Sequence, residues 1–192
     1  MLNFVEWLAT TKWSIALHES LYLYPWIESS HVLFICFFFG TLIFVDLRLT
    51  GKVFGDLSIA EMNKKILPLT IIGFCLMSLT GLLLFYAIPI RNYQNIFFRI
   101  KIFLILFAGL NALFVHKRMS KEAKNWDKDS LIPTTMKVSA VVSLFVWSSV
   151  IISGRLIAYN WFDCDRQPQT EWINFLTSCV VEYQLYEEID GI

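Results

Sequence analysis

Residues 66–90 read ILPLTIIGFCLMSLTGLLLFYAIPI, twenty-five consecutive positions without Asp, Glu, Lys or Arg. A helix needs about 20 mostly apolar residues to cross the hydrocarbon core of a bilayer. The stretch therefore predicts a membrane-spanning helix. Pro68 fits its first turn, where a missing N–H costs little, and Pro89 fits its far end.

Working outward, three more segments have the same character. Ser29 to Val45 carries no Asp, Glu, Lys or Arg. Ile102 to Val115 is shorter, and extends back to Asn95 once Arg99 and Lys101 snorkel toward the surface. Val138 to Gly154 continues through RLIAYNWF. The predicted spans are 25–49, 66–90, 95–117 and 136–160. Composition agrees: 56% of the 192 residues are hydrophobic and 17% charged, with mean hydropathy +0.57. Soluble domains run about 45–50% apolar and about 25% charged. The fold class expected is all-α, an integral membrane up-down four-helix bundle with amphipathic helices at both ends. Its surroundings are the lipid bilayer. A formal net charge of zero offers no basic footprint for nucleic acid.

Residues 1–24 begin MLNFVEWLATTKW, without the basic start of a secretory leader. Leu2 to Leu17 is expected to form an amphipathic helix, lying at the membrane interface or packed on the bundle, with Phe4, Val5, Leu8 and Ile15 on one side. Residues 161–192 form a tail. Trp172, Phe175, Leu176, Cys179, Val180 and Tyr183 follow helical spacing there, and Thr170 can cap the start. This helix is expected to pack on the bundle or dock a partner.

Lys and Arg counts set orientation. The loops after the first and third spans together carry ten, and the other side carries six. Both termini are therefore expected outside the cytoplasm, in a bacterial inner membrane. Cys164 and Cys179 would then share an oxidising compartment and could form a disulfide. Cys36 and Cys75 lie within spans and are expected to stay reduced.

Small residues thin helix contacts in lipid. Ala108 and Ala112, Ser139 and Ser143, and Ser149 and Ser153 are spaced four apart, and Gly40, Gly73, Gly81, Gly109 and Gly154 add further thin places. Asn111, inside the third span, is expected to hydrogen-bond across the bundle.

The runs SLYLYPWIESSH (20–31), FFFGTLIFVDLRLTGKVF (37–54), GFCLMSLTGLLLF (73–85) and NIFFRIKIFLILFAGLNALF (95–114) together resemble an uncharacterised family of bacterial four-helix membrane proteins. The matching pieces include Tyr24-Pro25, His31, Gly40, Asp46-Leu47-Arg48-Leu49, Gly73, Thr80-Gly81, Lys101 and Asn111-Ala112. The resemblance covers roughly residues 20 to 160 and leaves out the N-terminal helix and the tail. It implies a membrane location and a four-helix fold, and transfers no activity.

Chemistry must come from the intramembrane ionisable groups, which are functional candidates by default. On the outer half these are His31, Arg99, Lys101 and Arg155; on the other, Asp46, Arg48, His116 and Lys117. Asp46 is expected to meet a cation or helix N–H groups, with Arg48 pointing elsewhere because residues two apart do not share a helix face. No carboxylate lies deep within a span, which argues against a proton-coupled exporter. H-E-x-x-H, G-x-S-x-G and C-x-x-C are all absent from the sequence.

Two function classes remain. One is a redox-associated subunit that binds haem b or a quinone near the outer face, around His31. Three histidines rule out a two-haem, four-histidine carrier. For a single bis-histidine haem only His18 could join His31 on the iron, since His116 ends the third span on the opposite side. Arg99, Lys101 or Arg155 would hold propionates. A quinone needs less: one imidazole and one or two cations. The other class is a non-catalytic anchor or assembly module for partner proteins or for further copies of the chain. His31 is expected to point into the bundle toward Thr80, Lys101, Ser153 or Arg155, for function or as a plain structural bond.

Overall fold

The computed structural model describes residues 2–122, 132–159 and 170–177, and they are helical throughout apart from turns and connections. Among the described residues nine helices follow in order: α1 (Leu2–Ala9), α2 (Lys12–Glu19), α3 (Leu23–Leu49), α4 (Ile59–Lys65), α5 (Leu67–Ala87), α6 (Pro89–Tyr93), α7 (Ile96–Glu122), α8 (Thr134–Ala158) and α9 (Glu171–Thr177). Four of them, α3, α5, α7 and α8, are long and apolar enough to cross a membrane. The chain is an all-α protein of the membrane-spanning class, as its hydropathy requires.

Local chemistry sets the helix ends. Ser20 Oγ accepts from the Leu23 N–H at 3.0 Å as α3 begins. Gly51, at φ +72°, stops α3 in the left-handed conformation that a Cβ would strain. Asn95 Oδ1 accepts from the N–H groups of Phe97 (2.9 Å) and Phe98 (3.4 Å), capping α7. The α3–α5 connection holds a short helix absent from the sequence expectation. Its signal is Ser58-x-x-Glu61: Ser58 Oγ accepts from the Glu61 N–H at 3.4 Å.

The spans pair as two antiparallel hairpins. α3 packs along α5 and α7 along α8, while α3 and α8 join the hairpins. At the α3–α5 contact a Cβ on Gly73 would lie 2.9 Å from Phe37 Cδ1 and 3.1 Å from Phe38 Cα, so the helices approach as closely as a bare backbone allows. The joint is aromatic. Phe38 and Trp147 meet edge to face at 4.6 Å, with Phe74 against both. Met77, Ala108, Val146 and Val150 complete this cluster, and a second cluster around Leu49, Ile59, Met119 and Met136 fills the end near α4. Asn111 crosses from α7 to α8, its Nδ2 donating to Ser139 O at 3.1 Å.

Consecutive spans α5 and α7 pack little against each other, so the bundle is open along that side. Phe85 and Phe98 stack at 5.3 Å and bring the two together at the α6 end. Gly40 and Gly109 have nothing near an added Cβ and are not contact points, unlike Gly73.

The N-terminal segment is broken into two helices rather than continuous. Thr11 caps α2 through the Ser14 N–H at 3.4 Å and shares a 2.7 Å hydrogen bond with Tyr86 Oη, while Ser14 Oγ donates to Tyr86 O at 2.8 Å. These bonds tie the segment to α5, with α1 also packing on α6, and Phe4, Trp7 and Trp13 stay exposed. At the other end of the chain, α9 packs on α7 through Ile173 and Thr177. The expected apolar stripe of Trp172, Phe175 and Leu176 faces outward instead. Cys164 and Cys179 lie outside the described residues, so their expected disulfide does too; Cys36 and Cys75 are free thiols.

Candidate functional site

Helices α3 and α5 run side by side, and this places His31 against Thr80 and Gly81. His31 Nδ1 lies 2.9 Å from Thr80 Oγ1. The ring sits over Gly81, where an added Cβ would come within 3.1 Å of His31 Cε1. Glycine is thus what admits the imidazole between the two helices.

The Thr80 hydroxyl can pair with either tautomer of the ring. It has one hydrogen, and it lies 2.9 Å from Leu76 O and 3.0 Å from Met77 O on its own helix. With that hydrogen on a carbonyl, Thr80 Oγ1 accepts from His31 Nδ1–H and the lone pair of the neutral ring is on Nε2. The Met77 carbonyl also bears on the ring.

Lys101 approaches from α7. Its Nζ would lie 3.3 Å from a Cβ on Gly154 of α8, so the ammonium crosses a second glycine gap. It comes within electrostatic range of His31. Lys101 donates no hydrogen bond to any described residue. A half-buried ammonium without an acceptor among the described residues is suited to an oxygen acceptor supplied from outside. Ser153, next to Gly154 on α8, turns its hydroxyl to Ser149 O at 2.8 Å and does not reach the histidine.

The other sequence candidates disperse. Arg155 is exposed, its guanidinium 5.4 Å from the Tyr159 ring centroid. Arg99 is held by Tyr93, donating from Nε to Tyr93 O at 3.2 Å and lying 4.6 Å over the ring; its Nη2 is buried with no partner. His18 is exposed and meets Tyr24 edge to face at 6.3 Å. Tyr24 precedes His31 by seven residues on α3, roughly 10 Å of helix at 1.5 Å per residue. The site that the fold assembles is therefore His31, Thr80 and Lys101, with Gly81 and Gly154 as clearance. The glycine roles had only a weak sequence signal, because a thin place does not name the side chain that fills it.

At the opposite end, the Asp-Leu-Arg-Leu run divides as helical geometry demands. Arg48 is 1% exposed and donates from Nε to Leu57 O at 2.7 Å and from Nη2 to Gly55 O at 3.3 Å, tying down the α3–α4 connection. Asp46 is 3% exposed and turns inward beside Ser143 of α8, with Oδ2 lacking any hydrogen-bond partner. The expected cation or helix-end cap is absent among the described residues. His116 is on the surface, at a groove between α4, α5 and α7.

Four apolar spans enclosing a few inward polar groups define a polytopic α-helical membrane protein. More narrowly, the chain belongs to a family of unknown function, DUF6644, whose model matches residues 4–160. The match takes in α1 and α2, which the sequence resemblance had left out. Comparison with curated proteins and with solved structures found no match.

Proposed function

We propose that this protein is a redox-associated membrane subunit that binds a quinone at its outer face, between His31 and Lys101. The proposal takes the loops after α3 and α7 as cytoplasmic in a bacterial inner membrane, following the ten-to-six bias in Lys and Arg. The single observation that carries it is the pairing of His31 with Thr80. In the tautomer with the proton on Nδ1 that bond leaves Nε2 as the acceptor, near an ammonium that makes no hydrogen bond among the described residues. A quinol hydroxyl can donate to Nε2 while a ring oxygen accepts from Lys101 Nζ. Electrons would pass to a redox partner. The quinone reading is favoured over bis-histidine haem because His18 packs on Tyr24, about two helical turns from His31 along α3.

The test is extraction and titration. Purified protein is expected to yield quinone on solvent extraction and to bind a short-chain quinone. His31→Gln and Lys101→Met should each weaken that binding about tenfold or more, the scale of a lost charge-assisted or buried hydrogen bond. A Soret band in the visible spectrum would replace quinone with haem b. A colourless, quinone-free protein that tolerates both substitutions would favour the second reading, a non-catalytic anchor for partner proteins. One observation supports that alternative: Trp172, Phe175 and Leu176 leave α9 with an apolar outer face.

A further inference from the structure

Away from the histidine site, the open side between α5 and α7 forms a groove of about 540 Å³ at the α4 end. Its floor is apolar, made by Leu67, Ile71 and Ile72 of α5. Its rim is polar, made by Asn63 and Lys64 of α4 and His116 of α7. Ile71 and Ile72 are about half exposed, at 50% and 53%, although they belong to a membrane span, so the groove opens toward the hydrocarbon. Lys64 lies three residues before the start of α5, at the level where headgroups meet acyl chains.

An occupant must satisfy both floor and rim. The floor asks for a flexible apolar chain that enters from the membrane. The ammonium of Lys64, with the imidazole of His116 able to donate beside it, asks for an anion at one end of that chain. We infer that this groove is a binding site for an anionic glycerophospholipid, such as phosphatidylglycerol. Its phosphate lies on Lys64 and His116, and one acyl chain along Leu67, Ile71 and Ile72. Basic clefts between spans are a recurrent way of holding such headgroups. The bound chain fills the gap that the sparse α5–α7 contact leaves, so the lipid completes the side wall of the bundle. The inference is independent of the quinone reading.

The full-length protein in a zwitterionic detergent would be titrated with phosphatidylglycerol and, separately, with phosphatidylcholine of the same acyl chains, and bound lipid counted by native mass spectrometry. Phosphatidylglycerol is expected to bind more tightly. Lys64→Gln should weaken it about fivefold, the worth of one cation near a headgroup, and leave phosphatidylcholine unchanged. Lys64→Arg should retain binding, which separates charge from misfolding. Ile72→Trp should weaken both lipids by filling the floor. Equal binding of the two lipids, or undiminished phosphatidylglycerol binding in Lys64→Gln or Ile72→Trp, would overturn the site. Displacement by glycerol 3-phosphate at equal concentration would also overturn it, since the groove would then hold a free phosphate and not a lipid.

Discussion

His31 on α3 and Thr80 on α5 meet at 2.9 Å, and the threonine hydroxyl is already turned to its own helix. The imidazole is therefore held by an acceptor that cannot rotate away without giving up a helix carbonyl. Thr80→Val keeps the shape and removes the acceptor. It should lower stability in detergent by about 1–3 kcal/mol, the cost of an unsatisfied buried donor. It should also weaken quinone binding, because the ring orientation is no longer fixed. Thermal unfolding and quinone titration of the same preparation would show both effects. Unchanged stability would mean that Nδ1 finds another partner.

The two glycine environments differ enough to give opposite outcomes. Gly73→Ala puts a methyl 2.9 Å from Phe37 Cδ1 and 3.1 Å from backbone at Phe38, so α3 and α5 must separate. A loss of about 1–3 kcal/mol is expected from overpacking. Gly40→Ala meets nothing within 4 Å and should be neutral or slightly stabilising, because alanine is the better helix former. Unfolding midpoints of the two variants should fall on opposite sides of, or apart from, the parent in that order.

Arg48 ties Leu57 and Gly55 carbonyls to the end of α3. Arg48→Ala should free the α3–α4 connection and cost about 2–3 kcal/mol, as hydrogen bonds from a charged donor are lost in a buried setting. Limited trypsin digestion would report it through faster cleavage after Lys52, which is exposed in that connection. Lys52 cleavage at the parent rate would show that other contacts hold the loop.

Orientation has a direct assay. With the charge bias as guide, Lys12→Cys should react with an impermeant thiol reagent in intact cells, and Lys52→Cys only after permeabilisation. Both positions are exposed, so accessibility to water does not confound the result. The reverse pattern would invert the assignment of faces and move the His31 site to the cytoplasmic half.

That four helices are long and apolar enough to cross a bilayer was legible in the sequence alone, because a run of about 20 uncharged, mostly apolar residues suits a bilayer-crossing helix. Helical periodicity likewise separated Asp46 from Arg48, and the cost of an intramembrane imidazole pointed His31 inward with Thr80 among its partners. What the tertiary structure decided is which helix meets which. Lipid is as apolar as leucine, so hydropathy does not distinguish a face that packs from one that meets acyl chains. For that reason Gly40 and Gly73 looked alike, Arg155 looked as inward as Lys101, and the apolar stripe of α9 looked buried when Ile173 and Thr177 are what it buries. The open α5–α7 side and the solitary hydroxyl beside Asp46 belong to the same class of facts. They follow from close contacts between distant segments, and a few tenths of an ångström at glycines 73, 81 and 154 set where those contacts fall.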